Sequence, residues 1–459
     1  MPHRSSRPLP PMPTLKVSVV ALLVALVIPS ADAAPADPSV PFEKYTLANG
    51  LDVVLSPDTS IPYVWVEVRY EVGSRDEVPG RSGFAHLFEH MMFQGSLHAN
   101  DDYFQPLQKI GGRVNGNTTQ ERTVYFEGVP AQYLPLALFL ESDRMGWLPD
   151  AMTQEKLANQ QNVVRNERRQ RYETPPYGEA WPKLLESVWP DGHPYHIATI
   201  GKHEDLENAT LQDTIDFFKK WYLPNNATLV ITGDFDPAAA KPLVDTYFGD
   251  VAAGPEPTPA TAAPVMLTGT KVVKVEKQVP FPRVWMAWIT PPTFAAGDAD
   301  LDLSSAILAD GDDAILYKTL VRDRQIAQDV SVSQRSQKLG SLYIIDATAS
   351  SGHTADELVA AIDEVLANAR TSGFTSEDVD LARTGYEVGY FNILRSIQGK
   401  ADSLGAYNAQ TGDPGYMQKD LARYRAATAE SVNAAFRTWI PADKRVILEF
   451  VPPTSTGGN

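Results

Sequence analysis

The chain has 459 residues, of which 43% are hydrophobic and 21% charged, a globular composition with room for two or three ordinary domains. Acidic residues outnumber basic ones by 57 to 40, and the formal net charge of −17 argues against nucleic-acid binding, because phosphate contacts need clustered Lys and Arg. There is no cysteine, so core packing alone must stabilise the fold.

Residues 1–33 have the pattern of a secretory signal peptide. Basic residues precede an apolar run over 17–28, and an Ala-x-Ala cleavage pattern ends at Ala33. The run has 12 residues, too few to span a bilayer permanently. We therefore expect a periplasmic protein that is cleaved near Ala33 and has no permanent membrane span. An uncleaved anchor is the alternative.

The first elements after this segment are predicted strands. Two alternating runs, 42–47 and 51–55, flank Asn49-Gly50, which is a strong hairpin signal. The alternation over 63–71 predicts a further half-buried strand.

A His-x-x-Glu-His motif follows, within Arg-Ser-Gly-Phe-Ala-His-Leu-Phe-Glu-His-Met-Met-Phe at 81–93. On a helix, His86 and His90 share one face, and two imidazoles at this spacing can bind one Zn²⁺. Glu89 borders that face and suits a general base, because zinc lowers the pKa of a bound water molecule. A solvated helix that carries two histidines by chance is the alternative. Against it stand the apolar neighbours Leu87, Phe88, Met91 and Met92.

Glycine-rich turn residues at 111–116 lead into an alternating strand pattern that extends to Phe126, a pattern that needs no function to explain it. A packed helix is predicted over 134–145. A second helix begins near Thr153 and places Gln160 and Glu167 on one stripe.

Residues 252–266 have the composition of a linker, and the segment after them reads as a degenerate second copy of the first. We predict an α+β protein with a catalytic domain at 34–251, this linker, and a related domain without a metal site at 267–459. The predicted strands and helices of the second copy are 271–279, 284–289, 300–308, 315–321, 329–333, 341–349, 355–370, 376–394, 428–439 and 445–450.

The order His-x-x-Glu-His reverses the common His-Glu-x-x-His and is typical of inverzincins. Over nearly all of its length after the first 40 residues, the chain resembles the pitrilysin family, which includes insulin-degrading enzyme and the mitochondrial processing peptidase. The resemblance implies two related α/β-sandwich halves, each a mixed or antiparallel sheet with helices packed on it. It also implies a third metal ligand at Glu167, which 76 residues separate from His90. One Zn²⁺ per chain is therefore expected on His86, His90 and Glu167.

The resemblance also implies a substrate strand, because an Asn-Ala-x-Thr segment in the family precedes an exposed edge. The residues expected to bind an extended peptide by β-augmentation are Asn115, Gly116, Asn117, Thr118 and Thr119. Gly116 replaces the usual alanine. Many relatives have a glutamate seven residues before the third ligand, where this chain has Gln160, a candidate for supporting the ligands.

Complete relatives supply an arginine and a tyrosine that hold the substrate. Alignment on Ile326-Ala327 places Val321 and Gln328 at these positions, and Arg322 or Arg324 could substitute only with a shift in register. We therefore expect a heterodimer with a related subunit that supplies the Arg and Tyr pair. A homodimer is the alternative.

These observations predict a zinc endopeptidase that cleaves peptides or unfolded polypeptides, with Glu89 as the base that activates the attacking water. Two other classes stay open. One is a non-catalytic peptide-binding or scaffold subunit of the same fold, and the other is an acidic periplasmic solute-binding protein without zinc.

Overall fold

The structure, a computed structural model, describes residues 39–453 and contains two mixed β-sheets. The first sheet has six strands: β1 Glu43–Thr46, β2 Asp52–Pro57, β3 Tyr63–Tyr70, β4 Arg113–Thr118, β5 Thr123–Pro130 and β6 Ala227–Gly233. Their order is β1-β2-β6-β3-β5-β4, with β2 and β6 parallel and every other pair antiparallel. β4 therefore lies at one edge of this sheet.

The second sheet repeats this topology without a counterpart of β1. Its strands are β7 Lys271–Glu276, β8 Arg283–Thr290, β9 Ala327–Arg335, β10 Ser341–Ala349 and β11 Val446–Val451. Their order is β7-β11-β8-β10-β9, with β7 and β11 parallel and the rest antiparallel. The predicted second copy is thus present strand for strand.

Helices flank both sheets. The helices before the second sheet are α1 Phe84–Met91, α2 Phe104–Lys109, α3 Leu134–Ala151, α4 Gln154–Arg168, α5 Ala180–Val188, α6 His203–Glu207, α7 Leu211–Trp221 and α8 Pro237–Phe248. Those after its second strand are α9 Asp298–Ala309, α10 Ala355–Ser372, α11 Ser376–Ile393, α12 Ile397–Thr411, α13 Met417–Ala426 and α14 Ala429–Trp439. Several begin at a threonine whose hydroxyl accepts a backbone N–H of the first turn, as Thr153 does for α4 and Thr375 for α11.

The two parts of the chain exchange one helix each. α12 packs on β2, β3 and β6 of the first sheet, where Leu404 is buried and the Asn408 side chain donates to Thr228 Oγ1 at 2.9 Å. α5 packs on β8 and β11 of the second sheet, and its Leu184 and Leu185 are buried. Residues 39–453 accordingly belong to one compact unit. The segment 252–268, which leads from the elements of the first sheet to β7, forms no helix or strand.

Most predicted elements lie within a few residues of the observed ones, but some differ. The predicted helix at 315–321 is a π-helical turn at Tyr317–Asp323, and α12 and α13 were absent from the prediction. The predicted signal peptide, residues 1–33, lies outside the described residues. The division into 34–251, 252–266 and 267–459 stays a prediction. Within 39–453, no helix has the length and apolar character needed to cross a membrane.

Candidate metal centre

Helix α1 is fixed at its start by a glycine and a buried carboxylate. Gly83 precedes the helix with φ of +85°, and a Cβ there would lie 2.9 Å from the carbonyl oxygen of Ile200. The Glu77 carboxylate accepts the backbone N–H groups of Gly83 and Ala85, each at 2.9 Å. Phe84, Leu87, Phe88 and Met91 are buried, so the orientation of the opposite face is set by the core.

His86 and His90 lie on that opposite face, and Glu167 of α4 faces them. The two imidazole centroids are 4.9 Å apart, and Glu167 Oε2 lies 3.8 Å from His86 Nε2 and 3.3 Å from His90 Nε2. One ligand atom from each residue lies within 4.8 Å of the other two. Zn–N and Zn–O bonds of about 2.0–2.2 Å in a tetrahedral arrangement place neighbouring ligand atoms about 3.3 Å apart. The three residues therefore fit one Zn²⁺.

The electrostatics of His86 and Glu167 favour the forms that bind metal. Burial lowers the pKa of His86 to about 4, which keeps its imidazole neutral at pH 7. The hydrogen bond from His90 lowers the pKa of Glu167 and keeps it ionised. Arg171 Nη1 lies 2.8 Å from Glu167 Oε1, so this guanidinium orients the carboxylate from the side away from the histidines.

Glu89 lies beside the cluster and is held by Thr118, the last residue of β4. Thr118 Oγ1 donates to Glu89 Oε2 at 2.6 Å. Burial raises the pKa of Glu89, while this hydrogen bond lowers it. A partly desolvated carboxylate in this position is suited to accept a proton from a water molecule in the cluster.

The strand β4 includes Asn115, Gly116, Asn117 and Thr118, and Thr119 follows it. β4 pairs with β5 on one side, and in the described sheet its other edge has no partner strand. A Cβ on Gly116 would lie 3.2 Å from Glu89 Cγ and 3.3 Å from Phe93, closer than most side-chain contacts. Because Gly116 has no Cβ, Glu89 packs closer to the strand than it could against the alanine that is usual in the family.

The remaining candidates lie elsewhere or have other partners. Gln160 is buried on α4, seven residues before Glu167. Arg322 contacts Asp313 and Asp323, Arg324 contacts Glu364, and Gln328 donates to the Ala349 carbonyl, so none of them reaches the metal centre. Two further histidines have local partners: His193 stacks on Trp189, and His203 contacts Glu173 at 2.7 Å.

Two contributing residues escaped the sequence analysis. Glu77 caps α1, and its signal was a carboxylate shortly before the Gly83 turn. Arg171 lies four residues after Glu167 on the same helical face, a spacing that favours an ion pair.

Comparison with known proteins gives matches to two family descriptions. Residues 52–191 match "Insulinase (Peptidase family M16)", and residues 208–386 match "Peptidase M16 inactive domain". The zinc protease PqqE of Helicobacter pylori is 27% identical over 378 residues, covering 80% of this chain and 83% of the relative. The uncharacterized zinc protease YmxG of Bacillus subtilis is 22% identical over 408 residues, covering 88% and 97%.

Solved structures support the fold. A protease from Helicobacter pylori superposes with a TM-score of 0.84 at 24% identity, covering 90% of this chain and 100% of the other. The periplasmic protease PqqL from Escherichia coli gives a TM-score of 0.75 at 15% identity, covering 90% of this chain and 48% of the other.

Proposed function

Because the chain belongs to the insulinase family, peptidase family M16, we propose that it is a zinc endopeptidase acting on peptides or unfolded polypeptides. The observation that carries this proposal is the cluster of His86, His90 and Glu167, with ligand atoms within 4.8 Å of one another. The relatives named zinc proteases support the choice of metal.

His86, His90 and Glu167 would hold the ion, which when bound would polarise the scissile carbonyl and acidify a water molecule. Glu89 accepts the proton of the attacking water and passes it to the leaving amine. Thr118 holds the Glu89 carboxylate at 2.6 Å, which keeps the base close to the substrate strand. The free edge of β4 offers backbone N–H and C=O groups to an extended peptide, so binding there depends little on side chains.

The replacement Glu89→Gln tests this function. Because the glutamine cannot accept the proton, we expect zinc content to stay near that of the wild type while peptide hydrolysis falls by about 10²–10⁴-fold. Glu155→Gln, at an exposed position in the first turn of α4, is the matched control and should keep the wild-type rate. An active preparation whose Glu89→Gln variant keeps its full rate would contradict the assignment of the base.

A non-catalytic peptide-binding or scaffold subunit is the second candidate function. It is favoured by Val321 and Gln328, which stand where the resemblance expects an arginine and a tyrosine. Zinc bound at one equivalent without any peptidase activity, alone or with a partner, would select this alternative.

We further propose that the active form is a dimer, with a related subunit supplying the missing pair, or with a second copy of this chain. The signal-peptide pattern over 1–33 supports a site of action in the periplasm. Purification from the native cell, with subunits identified and metal counted, tests both points. Full peptidase activity of a monomer would reject the dimer.

A further inference from the structure

A cavity of about 470 Å³ lies beside the metal centre, between the end of β4 and the turn that joins β9 to β10. Thr118 lines it and also donates to Glu89 at 2.6 Å. Tyr172 lines it from the π-helical turn that follows α4, next to Arg171, whose Nη1 lies 2.8 Å from Glu167 Oε1. The cavity therefore adjoins both the base and the third ligand.

The cavity is rich in cations, although the chain as a whole is acidic. Its lining includes Arg69, Arg122, Arg335 and Lys338, against the carboxylates of Glu71 and Glu121. Because field lines concentrate in clefts lined by one sign of charge, this local balance matters more to a bound group than the net charge does.

The carboxylates near the cavity are already paired. Glu71 contacts Lys338 Nζ at 3.1 Å, and Glu121 accepts from Arg75 at 3.1 Å and from the Lys338 backbone N–H at 2.8 Å. Behind the wall, Asp402 and Glu67 contact Arg69 at 2.7 and 3.5 Å. Two guanidinium groups of the cavity lining take no part in these pairs.

Arg122 and Arg335 are those two groups, and within 39–453 neither has a carboxylate at ion-pair distance. Arg122 donates to the side-chain oxygen of Asn117 on β4, and Arg335 lies over the Trp181 ring at 4.6 Å. Burial, followed by the neighbouring Arg69, lowers the pKa of Arg122, as expected for a cation whose charge is incompletely balanced.

We propose that this cavity binds a carboxylate of the peptide substrate, with Arg122 and Arg335 as the groups that contact it. The inference rests on the proposed peptidase function and gives it a substrate class. A peptide paired with β4 leaves the strand at Thr118, where the cavity begins. Its carboxylate comes from an Asp or Glu side chain near the scissile bond or from a free C-terminus, and guanidinium groups recognise either one through paired hydrogen bonds.

The test uses an internally quenched peptide that the zinc-loaded chain cleaves, with Glu, Gln or Lys placed in turn at each position flanking the cut. We expect kcat/KM for Glu to exceed that for Gln by about tenfold at one position, equivalent to about 1.4 kcal/mol. A second arm compares a free with an amidated C-terminus. A preference for Glu identifies a side-chain subsite, whereas a preference for the free carboxylate identifies a C-terminal one.

Arg335→Gln and Arg122→Gln should each lower that preference by about fivefold or more, because one charged hydrogen-bond partner is lost. Arg437→Gln on α14, which removes an exposed cation outside the cavity, is the control and should keep the preference. Arg335 is exposed, so its variant decides the question even if replacement of the half-buried Arg122 prevents folding.

Equal rates for Glu and Gln at every position, together with equal rates for free and amidated termini, would overturn the cavity assignment and leave the peptidase intact. If no peptide is hydrolysed even when the chain is assayed together with its co-purified partner, the proposed function fails separately. The same peptides are then compared by fluorescence anisotropy. A Kd for the carboxylate peptide at least about tenfold lower than for its amide supports the cavity assignment, and equal values reject it.

Discussion

Among residues 39–453, the two sheets share one topology, but only the first carries a candidate metal site. We refer to residues 39–251 as the first half and to 267–453 as the second half. Both order their strands alike, and both follow the second strand of the shared set, β3 or β8, with a helix that begins after a glycine of positive φ, Gly83 at +85° and Gly297 at +91°. The later helices α4 and α11 both begin at a capping threonine.

Counted from these caps, the second half has other residues at every position of the metal site. In place of the first histidine, the base, the second histidine and the third ligand it has, in that order, Asp300, Leu303, Ser304 and Gly389. Only one of these could be a strong metal ligand, so the second copy cannot form the same cage. The proposed chemistry therefore depends on four side chains of the first half, and the repeated fold only positions them.

The largest difference between the halves is expected when residues at equivalent positions of α1 and α9 are replaced. His90→Ala removes an imidazole whose Nε2 lies 3.3 Å from Glu167 Oε2, so we expect loss of zinc and a fall in peptide hydrolysis of more than about 10²-fold. Elemental analysis of the purified chain and kcat/KM for a quenched peptide measure both effects.

Ser304→Ala at the corresponding position of α9 is the matched control. Its hydroxyl donates to the Leu301 carbonyl at 2.8 Å, so we expect only a modest loss of stability, with zinc and activity retained. Loss of zinc in the Ser304 variant would show that the two halves are not functionally separate at these positions.

A medium effect is expected from the exchanged helices. Leu404 of α12 and Leu184 of α5 are each 1% exposed, and each lies on a helix that packs on the sheet of the other half. Leu404→Ala and Leu184→Ala should each cost about 2–5 kcal/mol in the free energy of unfolding, measured by urea denaturation of the zinc-loaded chain. Because each helix belongs to the core of the opposite half, both variants should shift a single transition.

Leu381→Ala on α11 is the control, since Leu381 is 73% exposed, and it should change the free energy by less than about 0.5 kcal/mol. Two separate transitions, with each variant moving only one of them, would mean that the halves unfold independently despite the exchange.

Local patterns in the sequence predicted the site better than they predicted the contacts between halves. His86, Glu89 and His90 are adjacent on one helix, so their spacing alone placed them together. Glu167 was inferred from resemblance, because spacing within a chain says nothing about which distant carboxylate folds back. The hairpin at Asn49-Gly50 was also found, because turn chemistry is local.

Contacts between distant segments were not predictable in the same way. An apolar face shows that a helix is buried but not which sheet covers it, and α12, with Gly399 and Gly405 in its interior, gave a weak helical pattern as well. The cation-lined cavity combines Arg122 from the β4–β5 turn with Arg335 from the end of β9. These residues are more than two hundred positions apart, and no short-range signal links them.

The smallest expected effect concerns the pH dependence of the metal helix. Burial raises the pKa of Glu77 from 4.5 to about 8, with Asp76 and Asp205 adding to the shift and the N–H groups of Gly83 and Ala85 opposing it. The folded state therefore holds a proton that the unfolded chain releases at lower pH. The contribution of Glu77 to stability is greatest below pH 4.5 and falls as the pH rises to about 8.

Glu77→Gln removes this titration, so the decline in unfolding free energy between pH 6 and pH 8.5, measured by urea denaturation, should be shallower than in the wild type. The variant also loses one acceptor for the α1 N–H groups, at a cost of about 1 kcal/mol at either pH. Asp302→Asn tests the same effect in the second half, where burial raises the pKa of Asp302 to about 7. The decline in unfolding free energy that Asp302 causes should therefore end about one pH unit below the decline that Glu77 causes. Parallel curves for wild type and Glu77→Gln would mean that the carboxyl is already ionised at pH 6, held so by the two N–H groups of the helix that carries the metal ligands.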